Sequence, residues 1–510
     1  MKNFPKTLTE LLDVATATYP QSLALVDGQT SWTFAELTAN AFERAQFLRQ
    51  QETAPQRVAI IAENSADMVG QIYGVALAGA TAVMINARLK PREQRVLLER
   101  SKATCWVGDA PFIEALLELG PLPWGVRATD LETARTAVEG TFEPAQLDVD
   151  GPGWLLYTSG TTGVPKGVLL SQGNLLAGAA NAGAARQLGE DEVLGLPFPL
   201  FHIAATNLLM CHLVGRPVIL ITGFEPDVVS RLIEQNKITS LSLAPTMVRR
   251  LVDYQATSPT DLSTLRTIYY GAAPITPSLL REASDVLKCS FSQGYGMTEA
   301  SGNAVFLDAV AHRQGLEGEP ELLTQAGSPG PLTTLRIVDE AGREVPVGVI
   351  GEVTLAGPQI TSGYDPEEGV AEAEFCLGGG FRTGDLGVLN ESGVLRIVDR
   401  KKDIIITGGE NVSSVEVEQA LCELPEISAA AVVARPDPHW GEAIVAVVVP
   451  TEVPFDEDQV RKVLRSRLAP FKQPKDYVLI DHLLVNATGK VDKVALRALV
   501  LNASTTDDTI

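Results

Sequence analysis

The run Tyr157-Thr158-Ser159-Gly160-Thr161-Thr162-Gly163-Val164-Pro165-Lys166-Gly167-Val168 sets hydroxyls and glycines ahead of one lysine. Glycines let backbone N–H groups fold around an anion without side-chain obstruction. Thr158, Ser159, Thr161 and Thr162 add hydroxyl donors, Gly160 adds backbone freedom, and Lys166 adds a compact positive charge. That is chemistry for holding phosphates. The spacing is not Gly-x4-Gly-Lys-Ser/Thr, because Pro165 precedes the lysine and Gly167 follows it. The common nucleoside-triphosphatase loop is therefore disfavoured. The other reading of the run is a Gly/Thr-rich surface hairpin.

Further constellations follow downstream. In Gly294-Tyr295-Gly296-Met297-Thr298-Glu299 an aromatic ring between glycines can offer a face for stacking. Thr298 can donate to a phosphate, and Glu299 can hold a hard cation. One carboxylate suffices for magnesium, which takes its other ligands from phosphates and water. Tyr270-Gly271-Ala272-Ala273-Pro274 reads as a strand ending in a tight turn, where a flat ring could approach the backbone. Phe381-Arg382-Thr383-Gly384-Asp385 puts a carboxylate on a Gly turn; it suits a sugar diol, or it is an Asx-type turn. Two adjacent glycines, Gly408 and Gly409, follow a strand and leave room for a narrow ligand. Lys490 follows a flexible Thr488-Gly489 turn, and its mobile ammonium could reach developing negative charge. His202 stands alone after Pro199-Leu200-Phe201, and a lone histidine is usually structural.

These residues need elements to hold them. Trp154-Leu155-Leu156-Tyr157 reads as a buried strand. Upstream, Val58–Ala62 and Thr81–Ile85 are strands around a helix that Ser65 caps, an alternation that predicts a parallel α/β sheet. Alternation resumes with strands at Val218–Ile221, Ser240–Leu243 and Thr267–Tyr270 and helices between them. Pro121–Pro152 is weakly patterned and reads as surface loop. From about Gly327, short alternating strands predict a β-rich subdomain. The charged run Asp399-Arg400-Lys401-Lys402-Asp403 reads as a linker. A compact α/β unit follows it.

The chain has 510 residues, room for more than one domain, and a formal charge of −22. Such a balance disfavours nucleic acid and anionic membrane surfaces as partners. The five cysteines are scattered without a CxxC pair, so neither a disulfide framework nor a zinc site is expected. No apolar run is long enough to span a bilayer, and no signal region follows the N-terminus, so a cytoplasmic protein without stable membrane association is expected.

Over nearly its whole length the chain resembles the adenylate-forming superfamily, and within it the AMP-forming acid–CoA ligases of benzoate and fatty-acid type. The phosphate run, the Tyr-Gly-Met-Thr-Glu segment, the Thr-Gly-Asp turn and the Thr-Gly-Lys turn stand in family order. The resemblance implies a large domain, residues 1–401, of two α/β subdomains plus a β-barrel-like subdomain, and a small mobile α+β domain, residues 402–510, with Lys402 at the hinge. It implies ATP, Mg2+ and coenzyme A, and a carboxylic acid activated as its adenylate and passed to the CoA thiol. Thr158 to Thr162, Lys166, Gly271, Ala272, Ala273, Tyr295, Gly296, Thr298, Asp385, Ile397 and Arg400 are then the nucleotide set. Glu299 is the metal ligand, and Lys490, His202, Thr298 and Glu299 are catalytic.

The implied acyl pocket is Phe201, His202, Ala205, Thr206, Asn207, Tyr270, Gly271, Gly294, Met297 and Ala304; the CoA set is Gly408, Gly409, Glu410, Trp440, Phe471 and Lys472. The family's amino-acid-activating members place an aspartate where His202 stands, which argues against an amino-acid substrate. The segment shows no obvious arginine for a second carboxylate, favouring an aryl, alicyclic or medium-chain aliphatic monocarboxylic acid. Around Lys490 the pattern departs from the family, with Leu484-Val485-Asn486 before and Val491-Asp492 after, and Lys493 is a weaker candidate for its role. A carrier-protein phosphopantetheine is the alternative acceptor, and a catalytically inactive ligand-binding relative is a further reading. A monomer or homodimer is expected.

Overall fold

The structure is a computed structural model that describes residues 4–28, 30–51, 54–123, 125–135, 143–158, 165–273, 275–365, 375–376, 379–451, 453–485 and 491–505. Four sheets organise it. The chain's apolar runs become strands covered on both faces, as parallel sheets require. Arg57–Ile61 is parallel to Thr81–Met84 on one side and Cys105–Gly108 on the other. Pro152–Thr158 continues that six-stranded sheet in parallel, and Lys166–Ser171 closes it as an antiparallel edge. The phosphate run therefore begins and ends on one edge hairpin, whose last pair is Thr158 opposite Lys166.

A nine-stranded sheet forms the second layer. Leu23–Asp27, Val218–Leu220, Leu194–Leu196, Ser240–Leu243, Thr267–Gly271 and Ser290–Met297 run parallel in that spatial order. Gly302–Leu307 turns back antiparallel along Ser290–Met297. Ligands of open α/β sheets bind beyond the carboxyl ends of parallel strands. Tyr270-Gly271, Gly294 to Met297, and the segment leading to Phe201-His202 all lie at such ends. One core cluster, including Phe34, Ala45, Met68, Leu156 and Leu176, binds the two layers. Within it, burial draws the His212 pKa down to about 4, and the neutral ring meets the Tyr73 hydroxyl at Nδ1 (2.8 Å) and the Ala24 carbonyl at Nε2 (3.1 Å).

The β-rich subdomain is an antiparallel meander of Thr334–Val338, Gly351–Ala356, Phe381–Leu389 and Leu395–Arg400. The C-terminal unit is a five-stranded sheet around Ile427–Asp437 and Gly441–Pro450, covered by helices Ser414–Cys422, Glu457–Arg467 and Lys493–Thr505.

Three local expectations change. The stretch read as loop between Pro121 and Pro152 contains the strand Arg127–Asp130, a charged, half-exposed edge whose pattern carries no apolar alternation. Asp385 lies within a strand rather than on a turn; Gly384, at φ +72°, bends that strand and shifts its register. The run read as linker is a strand through Arg400, paired with Asp385, and only then a turn.

Candidate active site

The elements converge on two polar constellations. In the first, strand Lys166–Ser171 has residues 361–365 along its open edge. Val168 bridges Tyr364, and the Asp365 N–H donates to the Gly167 carbonyl (2.8 Å). Tyr364 is thereby placed under Lys166, whose ammonium lies 4.7 Å from the ring centroid. The same tyrosine's hydroxyl donates to Glu299 Oε1 (3.0 Å). Glu299 is buried on the short 3-10 turn Thr298–Ala300, and its backbone carbonyl accepts from the Thr361 N–H (2.8 Å). A lysine ammonium and a buried carboxylate, distant in sequence, are thus joined through one phenol. A bidentate ion pair between Arg57 and the fully buried Asp365 (2.6 and 3.1 Å) anchors the segment to the six-stranded sheet.

In the second constellation the Tyr295 hydroxyl donates to Asp385 Oδ2 (2.7 Å), and Arg400 Nε pairs with Asp385 Oδ1 (2.9 Å). Burial first, then the Asp385 charge, raises the Tyr295 pKa well above its ordinary value, so it stays a phenol donor at neutral pH. A carboxylate oxygen can accept more than one hydrogen bond, which suits Asp385 to hydroxyl donors. Ile397 packs with Tyr295 and Met297 on one cluster. Beside them, Ala272 holds a left-handed φ of +70° and is exposed with Ala273. A non-glycine residue in that region is strained, and such strain concentrates at ligand contacts. Gly271 is required by packing: a Cβ there would lie 2.6 Å from the Gly294 carbonyl oxygen. These groups suit a magnesium nucleotide, with hydroxyl acceptors at Asp385, a hard oxygen donor at Glu299 and a cation at Lys166. Ser159, Gly160, Thr161, Thr162 and Lys490 lie outside the described residues.

The segment expected to border the acyl pocket is held by Asn64. Its amide donates to the Phe198 carbonyl (2.9 Å), and its Oδ1 accepts from the Leu200 N–H (2.8 Å), pinning the segment that leads to Phe201 and His202. The Phe201 and His202 rings lie 4.8 Å apart at 60°. Ala205, Thr206 and Asn207 follow on the turn and helix Thr206–His212. Among the other residues assigned to this pocket, Ala304 is misplaced. It is buried in the cluster with Ala300, Val353 and Leu355 beneath the β-rich meander. The register shift between the pairs Tyr295–Val305 and Gly296–Asn303 leaves Ala304 as the extra residue of a bulge, and Gly302 and Asn303 lie against the residues assigned to the pocket. A Cβ on Gly302 would sit 3.0 Å from Thr206 Oγ1, and a Cβ on Gly294 would strike the Asn303 side chain. Tyr270 points away from Tyr269, into the second core cluster, where its hydroxyl meets His312 Nε2 (2.8 Å).

In the C-terminal unit, Gly408 and Gly409 are the centre of the hairpin joining Ile405–Thr407 to Glu410–Val412. Both have positive φ, +60° and +85°, as a two-residue type I′ connection demands. Trp440 stacks against Gly408, where a Cβ would lie 3.0 Å from the ring, and Lys475 Nζ lies 4.7 Å from the Trp440 centroid. Lys472 pairs with Glu416 (2.7 Å), and Phe471 beside it is partly exposed. Each of these contacts is internal to the five-stranded unit. Lys402 is exposed in the turn after Arg400. Tyr364, Asn64, Gly302 and Asn303 carry no local motif; only their long-range placement marks them.

Residues 12–365 match the AMP-binding enzyme family and residues 416–490 match the AMP-binding enzyme C-terminal domain. The chain belongs to the AMP-binding enzyme family. It is 36% identical over 488 residues to a feruloyl-CoA synthase of an Amycolatopsis species, covering 94% of this chain and 96% of that one. Its fold matches o-succinylbenzoate CoA synthetase from Bacillus subtilis bound to an acyl-adenylate, with a TM-score of 0.85 and 29% identity over 96% of this chain and 97% of that one. That synthetase is also known with AMP and with ATP and magnesium ion. The amide bond synthetase from Marinactinospora thermotolerans is equally similar in fold, with a TM-score of 0.85 and 30% identity, covering 97% of this chain and 99% of that one. Among the described residues no helix is long and apolar enough to cross a membrane.

Proposed function

We propose that the protein is an AMP-forming acid–CoA ligase acting on a carboxylic acid, with aryl acids the leading class. The observation that carries the reading is the pairing of the Lys166–Tyr364–Glu299 chain with the Tyr295–Asp385–Arg400 chain in a member of this family. Magnesium, when bound with ATP, neutralises phosphate charge. Glu299 offers it a carboxylate, and Tyr364 holds that carboxylate in place. Asp385 receives the ribose hydroxyls, oriented by Tyr295 and Arg400, and Tyr295, Gly271, Ala272 and Ala273 border the adenine. The acid's carboxylate lies near His202 and Thr298, with Lys490 supplying positive charge where it attacks the α-phosphate. Such a step depends on positioning and charge stabilisation more than on a protein nucleophile. The residues 402–510 act as the mobile small domain and Lys402 as its hinge. Gly408, Gly409, Glu410, Trp440, Phe471 and Lys472 serve the thiol-bearing acceptor, which we assign to free CoA.

The test is acid-dependent AMP release with ATP, magnesium and CoA across aryl, alicyclic and fatty acids, beside Lys490→Ala. Release should require CoA for turnover and fall by roughly 100-fold or more in the variant. Adenylate formed without CoA thioester would move the acceptor to a carrier protein or, as in the amide bond synthetase, an amine.

A further inference from the structure

The helix Gln172–Arg186 starts directly at the phosphate hairpin, with Ser171 as its N-cap. Fifteen residues carry it about 22 Å away. Its last residue, Arg186, reaches the acid side. Arg186 Nη1 donates to Asn207 Oδ1 (2.7 Å), and the guanidinium lies 4.4 Å from the Tyr269 ring centroid. The Asn207 amide donates to the Ala204 carbonyl (3.0 Å), which fixes which end of that side chain faces the arginine. Tyr269, Phe201, Ala205 and Met210 share one core cluster. Tyr269 immediately precedes the Tyr270-Gly271 pair, so the guanidinium stands between the helix bearing Asn207 and the strand that ends at the adenine border.

The environment asks for an acceptor. Among the described residues no carboxylate forms an ion pair with Arg186; its contacts are an amide oxygen, the Met210 sulfur (3.6 Å) and an aromatic face. Glu192 acts on Arg186 through space without forming an ion pair with it, and its carboxylate accepts from the Ser240 hydroxyl. Desolvation pulls the Arg186 pKa below its ordinary value, yet an arginine stays charged. Its direct contacts are all neutral and desolvation outweighs the through-space attraction of Glu192, so a further directly bound oxygen acceptor would stabilise the cation. The fork geometry leaves Nε and Nη2 to bind a second oxygen.

We infer that Arg186 is a specificity-determining residue. Its guanidinium closes the far end of the acid pocket and takes an oxygen acceptor on the end of the substrate remote from the reacting carboxylate. The substrate class this selects is an aryl acid with a distal phenolic, ether or carboxylate oxygen. The inference rests on the ligase reading for where the acid lies, and it replaces the sequence-based expectation of a pocket without an arginine.

The experiment compares wild type with Arg186→Met, which keeps the side-chain length against Tyr269 and removes every donor, and with Arg186→Lys. Calorimetric binding of matched pairs, 4-hydroxycinnamic against cinnamic acid and 4-carboxyphenylacetic against phenylacetic acid, needs no turnover. AMP release then gives KM and kcat for the same pairs. Arg186→Met should weaken binding and raise KM for the oxygen-bearing acid by roughly tenfold, leave the unsubstituted acid unchanged or improved, and alter kcat little. Arg186→Lys should fall between the two, and it carries the test should the methionine variant not fold. Equal wild-type affinity for both members of each pair, or discrimination unchanged by either substitution, overturns the assignment. Arg186-dependent discrimination without AMP release from any acid would support the assignment and overturn the ligase reading alone.

Discussion

At the scale of single residues, the site works by sharing. Tyr364 serves Lys166 with its ring and Glu299 with its hydroxyl, so one side chain sets the distance between the cation proposed to meet phosphate and the carboxylate proposed to meet magnesium. Tyr364→Phe keeps the ring and removes only the donor. A hydrogen bond to a charged group contributes about 1.5–3 kcal/mol. We expect kcat/KM for ATP to fall by roughly tenfold or more, with higher magnesium recovering part of the loss and the melting temperature nearly unchanged. Steady-state AMP release at several magnesium concentrations checks it. An unchanged kcat/KM would mean that Glu299 holds its position without the phenol.

At the scale of elements, strand ends and hairpins do the positioning. The edge hairpin Pro152–Thr158 and Lys166–Ser171 presents the phosphate run, and the hairpin at Gly408-Gly409 presents a narrow backbone ridge beside Trp440. In the sequence Gly408 and Gly409 read as room for a narrow ligand; the hairpin shows that the turn itself requires them. The two demands can be separated at Gly409, where a Cβ meets nothing within 4 Å but φ is +85°. Gly409→Ala should cost about 1 kcal/mol in stability, seen as a small drop in melting temperature. Pyrophosphate exchange should persist while thioester formation falls. Loss of both activities together would place the glycine in the adenylation step instead.

At the scale of the whole molecule, a buried carboxylate helps tie the C-terminal unit to the β-rich meander, beside the bond from the Ser413 hydroxyl to the Val398 carbonyl (2.8 Å). Asp399 Oδ2 accepts from the Ser414 N–H (2.5 Å) and the Ser414 hydroxyl (2.8 Å), at the start of helix Ser414–Cys422. Lys493 reaches the same serine (2.6 Å) and Glu418 (2.8 Å), and Arg497 reaches Asp403 (2.6 Å). The Asp399 bonds cross the turn that contains Lys402, and the others brace its far side within the C-terminal unit. Asp399→Ala strands buried donors and should cost about 1–3 kcal/mol, concentrated at this seam. Limited trypsinolysis should then cut faster at Arg400, Lys401 or Lys402, ahead of any global unfolding seen by circular dichroism. Equal cleavage rates in wild type and variant would show that other contacts hold the two units together.

The amino-acid sequence by itself determined the fold class and the chemistry on offer. Strands buried on both faces appear as apolar runs such as Val58–Ala62, and caps such as Ser65 mark the helices, because these signals are local. Glu299, Asp385 and Lys166 were legible for the same reason, since each sits in a short motif of hydroxyls and glycines. The tertiary structure alone decided which residues meet. Tyr364 reaches Lys166 only because residues 361–365 line an open sheet edge. Ala304 faces the cluster beneath the β-rich meander because a bulge in the antiparallel pair falls on it, while Gly302 and Asn303 meet Thr206 and Gly294. Arg186 reaches the acid side only because two helices pack together. Contacts made by strand register and helix packing between distant segments leave no period or motif in the chain, so they become visible only once the chain is folded.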